Sequence, residues 1–506
     1  MPPLTRRSFL LGTAAAGVAV AVPAAAAPPW SVSPVPGPLG HVYGAAGVPR
    51  GRTLGLTASG SGRTVTWLTT GDAVPGVVQW GLLPDGVPAG QARSGRYLTN
   101  SAPASTTAAP GGSFDDDTGT TTPVEGEHPV HVHKAVLPEL PAGSRFCYRV
   151  GDGVRWSAVE VAATRAADAP FVLGHVGDHG ANAASRRTTS ALLDRRPDAV
   201  LLAGDISYAN GYQPRWDEWA GQAEPLTSVV PLLPAPGNHE AKDYYGQTYR
   251  TRFSTPAGGR NWYTADLGRA HLFVGTAGCF LTENDPATAV DLLADELLGL
   301  ERSLAVAAAR RAAGEIDVLV VAQHFPLYTN HATRGPFSPE LVVAQEHILQ
   351  RYQVDLVLVG HDHMFQRSAR MAYGTPTGGD LGYVQVVAGA GGQSLYEFAD
   401  PDSDEWGDWC TAWARQYSFA EHRIEAGQVT TTVRAWDDAG DSPHGVDATL
   451  APRVIDESVL RRKPEQLVRA AASRPVRDVA EVLAGVPEAR GVVVRNLAED
   501  CTRHAH

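Results

Sequence analysis

Seven residues with metal-ligating side chains fall in five short blocks that follow one another through the middle of a 506-residue chain. The blocks are Gly177-Asp178-His179-Gly180, Gly204-Asp205-Ile206-Ser207-Tyr208, Gly237-Asn238-His239-Glu240, Val321-Ala322-Gln323-His324 and Gly360-His361-Asp362-His363. Asp178, Asp205, Tyr208, Asn238, His324, His361 and His363 offer oxygen or nitrogen donors, one or two at a time, from segments far apart in the chain. A two-metal hydrolytic site is assembled in this way: its ions acidify a water and clamp the attacking and leaving oxygens of an in-line displacement. Singly, each block has an ordinary structural explanation. Gly-Asp after a strand is a common turn, Gly-Asn tolerates positive φ, and His324 before Phe325-Pro326 reads as a packed loop histidine. Their order and their placement after apolar runs point to chemistry instead. His361 and His363, two apart in an extended segment, face the same side.

The elements that must position these residues come in two textures. From about 40 to 165 the pattern is all-β, with short strand-like runs at 64–69, 76–81, 130–137, 144–150 and 156–161, as in a small β-sandwich. The stretch 102–127 reads as a long loop, and its Asp115-Asp116-Asp117 lacks calcium-ligand spacing. From 170 to 450 the class is α/β. Phe171-Val172-Leu173, Ala199-Val200-Leu201-Leu202, Val318-Leu319-Val320-Val321 and Leu356-Val357-Leu358-Val359 are continuous apolar runs of buried strands. Helical stretches at 183–195, 287–313 and 339–352 separate them, and 383–388 and 429–436 read as further strands. The tail, 451–506, predicts two helices, at 464–472 and 476–483.

The whole chain sets further limits. A net charge of -12 argues against nucleic acid as a partner, since phosphate backbones require clustered basic residues. It leaves small phosphate esters open, because a metal pair supplies its own local positive charge. Residues 1–26 read as a signal peptide: Arg6-Arg7-Ser8-Phe9-Leu10, an apolar run to Val22, and a small-residue cleavage site ending at Ala26. The adjacent arginines resemble a twin-arginine export signal, which predicts use of the twin-arginine export machinery and release across a bacterial cytoplasmic membrane in folded form. No later stretch reaches the length of a membrane span, so no transmembrane anchor is expected in the mature protein. Cys147, Cys279, Cys410 and Cys501 lack any CxxC spacing and carry no chemistry; their pairing stays open.

The five blocks resemble those of the calcineurin-like metallophosphoesterases, and Tyr208 narrows the resemblance to purple acid phosphatases. The region 40–165, including Leu140-Pro141-Ala142-Gly143-Ser144-Arg145-Phe146-Cys147-Tyr148, is similar to the fibronectin-III-like domain that precedes the catalytic domain in larger members. The resemblance implies a metallophosphoesterase β-sandwich flanked by helices. It also implies one metal site of Asp178, Tyr208 and His363, a second of Asn238, His324 and His361, and Asp205 bridging. Ligand chemistry independently suits Fe(III) at the first, with its hard anionic donors, and Zn, Mn or Fe(II) at the second. The implied reaction is hydrolysis of a phosphate monoester by metal-bound hydroxide, with His239 and His331 stabilising charge and protonating the leaving group. Two departures stand out. Phe146 occupies a corner position usually held by tyrosine, and Met364-Phe365-Gln366-Arg367 stands where many relatives carry Tyr-Glu-Arg. Two other readings remain at this stage: a phosphodiesterase on the same site, and a catalytically silent surface-binding protein.

Overall fold

The computed structural model describes residues 46–484 except 110–112, 116–119, 123–129, 243–245, 257–260, 277–285, 337, 339–341, 438–442, 444 and 448. The expected signal segment 1–26, Asp116, Asp117, Cys279 and Cys501 lie outside the described residues.

The continuous apolar runs form strands because both faces of each are covered. In Ala199–Ala203, Leu201 turns inward between two sheets while Val200 and Leu202 pack outward under helices. Leu358 and its neighbours Val357 and Val359 divide in the same way in Leu356–Val359. Each such fully buried leucine contributes about 2–3 kcal/mol. The first sheet takes Phe171–Val176, Ala199–Ala203 and Leu232–Ala235 in parallel, with Ser418–Glu425, Gln428–Ala435 and Arg453–Arg461 added antiparallel on one side. The second takes Ala270–Val274, Val318–Ala322, Leu356–Val359 and Tyr383–Ala388 in parallel, flanked by antiparallel Tyr263–Leu267 and Phe365–Ala372. Helices Ala183–Arg195 and Gln213–Thr227 cover the outer face of the first sheet, and Pro286–Ala312 that of the second.

The N-terminal strands do more than form their own sandwich. Arg50–Leu56 pairs in parallel with Leu232–Ala235 through Gly55 and Leu232, and carries Arg63–Thr70, Val130–Leu137 and Ser105–Ala108 onto the same sheet. That sheet therefore has ten strands. A separate four-stranded sheet of Asn100–Pro103, Val77–Leu83, Arg145–Gly151 and Glu160–Ala163 closes over Leu54, Val65, Trp67, Phe146 and Tyr148. Part of the expected loop 102–127 is strand, and the strand expected at 156–161 starts only at Glu160.

The tail differs from its sequence reading. Before its two helices, Glu465–Ala472 and Val479–Ala484, it contributes the nine-residue edge strand Arg453–Arg461, so the first sheet runs past residue 450. The helices pack on Pro286–Ala312, where Arg477 grips the fully buried Glu301 with bonds of 3.1 and 2.7 Å.

Candidate metal centre

Five parallel strands end on one side of the molecule, and each hands over a motif. Asp178 follows Val176, Asp205 follows Ala203, Asn238 follows Ala235, His324 follows Ala322 and His361 follows Val359, each by two or three residues. This is the carboxyl edge where α/β sheets place their sites. The turns there are tight enough to force unusual backbone angles. Asp178, Asp205, Tyr208 and His361 hold φ at 57°, 51°, 56° and 68°, a left-handed region that costs non-glycine residues about 1–3 kcal/mol each. The glycines inside the motifs are there for space: a Cβ on Gly237 would lie 2.2 Å from Asp205 Oδ1, and one on Gly204 2.3 Å from the His324 ring.

The donor atoms converge in two groups. The Ala203 carbonyl accepts from His324 Nδ1 at 2.8 Å, which leaves Nε2 as a bare lone pair. Facing that lone pair are Asn238 Oδ1 at 3.1 Å, Asp205 Oδ2 at 3.2 Å and His361 Nδ1 at 3.1 Å. In the second group the Ser394 carbonyl accepts from His363 Nδ1 at 2.7 Å. His363 Nε2 then faces Asp178 Oδ1 at 3.3 Å, with Tyr208 Oη 2.9 Å from the nitrogen and 3.1 Å from the carboxylate. The groups adjoin, since the His361 amide donates to Asp178 Oδ2 at 2.7 Å.

In the first group Asn238 Oδ1 and Asp205 Oδ2 crowd a bare imidazole nitrogen, which repels unless a cation lies between them; in the second the Tyr208 hydroxyl donates to Asp178 Oδ1 and would give up its proton to an ion held there. Ligands held about 2.0–2.2 Å from one ion sit roughly 3 Å from each other, the spacing seen in both groups. Asn238 Nδ2 is buried without a hydrogen-bond partner among the described residues, as befits an amide committed through its oxygen. The donor set thus fits two metal ions. Carbonyls that fix the tautomer of a ligating histidine are the usual outer support of such sites.

The electrostatics carry the same sign. Burial alone would lower the His324 pKa, but the Asp205 charge beside it raises it to about 10, so the cluster pulls a proton where a cation fits. Burial, Asp178 and Asp205 hold the Tyr208 phenol well above its ordinary value, so its ionisation calls for a strongly charged ion. His239 is pushed down to about 3 by burial. Its Nδ1 bonds Asn210 Oδ1 at 2.5 Å, its amide donates to Asp205 Oδ1 at 2.9 Å, and its ring lies 4.2 Å from Tyr208.

His331 stands one ring further out. It meets Tyr396 edge-on at 4.9 Å, and Tyr396 lies flat on His363 at 3.9 Å and 12°. The departure at 364–367 has a structural use: Gln366 Oε1 accepts from the Asn330 amide at 2.8 Å and so braces the His331 segment. Phe146 is simply packed, while Tyr148 two residues on donates to the Ser228 carbonyl at 2.6 Å.

Sequence reasoning passed over several supporting residues. Glu240 accepts from the amides of Asp205, Ile206 and Gly237 at 2.9, 2.9 and 2.8 Å, tying two motif loops together. Burial and Asp205 push its carboxyl up to about 8 against those three donors. The capping spacing from Gly237 to Glu240 was its only signal. Tyr396 lay in a segment without a motif, and Arg334 reaches the fully buried Asp362 between the two histidines.

Residues 171–365 match the model of the calcineurin-like phosphoesterase family, and residues 49–164 that of the purple acid phosphatase N-terminal domain. Purple acid phosphatase 23 of Arabidopsis thaliana is 27% identical over 300 residues, which cover 52% of this chain and 62% of that protein. The Fe(3+)-Zn(2+) purple acid phosphatase 12 of the same plant is 26% identical over 264 residues, covering 48% and 53%. The chain spans between 51% and 62% of the length of three curated relatives that it matches. A solved purple acid phosphatase from yellow lupin (Lupinus luteus) seeds shares the fold, with a TM-score of 0.65 and 21% identity over 85% of this chain and 78% of that one.

Proposed function

We propose that the chain is a member of the purple acid phosphatase family, an exported enzyme hydrolysing small phosphate monoesters at a binuclear metal centre. The observation that carries this reading is the convergence of metal-ligating atoms in two adjoining groups, Asp178, Tyr208 and His363 in one and Asp205, Asn238, His324 and His361 in the other. When bound, Fe(III) beside Tyr208 with Zn, Mn or Fe(II) beside Asn238 supplies Lewis acidity for a water and for the phosphate oxygens.

The chain does the rest. Ala203 and Ser394 hold the protons of His324 and His363 on Nδ1, so both rings present Nε2. Asp205, with Oδ1 engaged by the His239 amide, would hold the centre through Oδ2. Asn210 fixes the His239 ring through Nδ1, and its Nε2 lies 3.7 Å from Asp205 Oδ2 at the edge of the centre, where a proton on Nε2 would let it donate to the phosphate. His331, across Tyr396, is placed to give a proton to the departing alkoxide, the remaining demand of the reaction.

The experiment is a visible absorption spectrum with metal analysis on one sample of purified protein. A violet band that vanishes in Tyr208→Phe supports tyrosinate–Fe(III). A colourless, active protein holding only Mn or Zn overturns the iron assignment, and rates on a matched monoester and diester then decide the ester class. Export is tested separately: Arg6→Lys with Arg7→Lys should retain uncleaved precursor in the cytoplasm.

A further inference from the structure

The metal ligands account for the phosphate; a different surface meets the rest of the ester. Residues 330–332 run beside 397–399: Ala332 N donates to the Glu397 carbonyl and Ala399 N to that of Asn330, both at 2.9 Å, with His331 opposite Phe398. In an extended segment residues two apart share a side, so Phe398 continues outward from Tyr396 on the His331 face. Phe398 meets Trp413 at 5.0 Å and Trp406 at 6.1 Å, and the two tryptophans meet edge-on at 5.3 Å and 70°. Trp413, on the strand Cys410–Ala414 opposite Gln366, is 49% exposed. Tyr396 on His363, His331 between Tyr396 and Phe398, and Trp406 and Trp413 on Phe398 thus carry a wall of aromatic surface from the site to a half-exposed tryptophan.

The charge around this wall is one-sided. Glu397, Asp400, Asp402, Asp404, Glu405 and Asp408 are all exposed on the segment that carries Phe398 and Trp406. The nearby cations are already engaged, Arg415 with Glu397 at 2.9 Å and Arg334 with Asp362. The ring faces take a flat group by stacking, and the anionic rim repels one that carries a second negative charge.

We propose that Tyr396, Phe398, Trp406 and Trp413 bind the alcohol part of the substrate and select phosphate monoesters with a neutral aromatic leaving group. This rests on the monoesterase reading above. The wall adds contact with the leaving group while the phosphate stays on the metal centre, so its effect falls on KM.

The test compares 2-phenylethyl phosphate with ethyl phosphate, whose alcohols are of similar acidity, on the metal-loaded enzyme. The wild type should favour the aromatic ester in kcat/KM by about tenfold, the scale of one good aromatic contact. A carboxylate on the phenyl ring should abolish the gain. Trp413→Ala should bring the preference close to unity through KM, and Trp413→Phe should retain most of it. Equal rates on both esters in the wild type, or an unaltered preference in a folded Trp413→Ala, overturn the wall and leave the monoesterase reading standing. Turnover of neither ester overturns the monoesterase reading and the wall with it.

Discussion

Two clusters of buried histidine adjoin at the end of the strand Leu356–Val359, one reaching the Val359 carbonyl through His175 and the other holding His361, and they behave oppositely. In the first, Thr431 Oγ1 donates to His422 Nδ1 at 2.9 Å, His422 Nε2 donates to His175 Nδ1 at 3.2 Å, and His175 Nε2 donates to the Val359 carbonyl at 3.2 Å. Every ring nitrogen has a complementary partner, and the chain of bonds ties the first sheet to the second. Burial holds His422 neutral, down to about 3, and His175 well below its ordinary value. In the second cluster, His324 and His361 are as deeply buried but face carboxylate, amide oxygen and each other. Burial therefore says nothing about role. The match between donors and acceptors does: a cluster that closes its own hydrogen bonds is packing, and one left with converging lone pairs takes a cation.

That contrast can be broken at four points. Asp205→Asn, which removes the carboxylate charge facing His324, should lower kcat/KM on a phosphate monoester on the order of a thousandfold and reduce bound metal; full activity at full metal loading would dissolve the distinction. Glu240→Gln touches no ligand atom directly, and should cost about 10–100-fold in activity or metal affinity, the usual scale for outer support of a metal site. In the packing cluster, His422→Leu strands Thr431 Oγ1 and His175 Nδ1, so urea unfolding should show a loss of about 1–3 kcal/mol while turnover per folded molecule stays as in the wild type. A further effect, small for each step of pH, is pH-dependent. Because the folded His422 pKa lies near 3, below the unfolded value of about 6.5, its contribution is present above pH 6.5. As pH falls through that window the unfolded chain takes up the proton, and stability should drop by about 1.4 kcal/mol per pH unit. Flat unfolding free energies between pH 6.5 and 4.5 would show that the pair is protonated in the fold.

The converging donors were legible in the sequence because each motif is local: a donor within two or three residues of the end of a β-strand, in four of the five motifs with a glycine that clears space. The apolar runs at 199–202 and 356–359 announced their strands for the same reason, being covered on both faces. What escaped is non-local. The edge strand Arg453–Arg461 has one exposed side and a bulge opposite Val433 and Arg434, so its apolar residues lose strict alternation and no period survives to be read. Glu240 looks like a helix cap until Asp205 and Ile206 arrive from another loop. Tyr396 acquires meaning only from the ring it covers. The pairing of Gly55 with Leu232 joins residues that no periodicity connects.

That pairing has a thermodynamic consequence. Around it Thr227 Oγ1 donates to the Arg52 carbonyl at 2.8 Å, Arg52 bonds Glu224 and lies 3.3 Å from Glu160, and the Tyr148 hydroxyl reaches Ser228. The N-terminal strands and the phosphoesterase strands therefore share one hydrogen-bonded ladder and one set of buried polar contacts. Cutting the chain near residue 165 would bare the edge of Leu232–Ala235, an open template for aggregation. A calorimeter should accordingly record a single heat-absorption peak, because neither half has a melting point of its own.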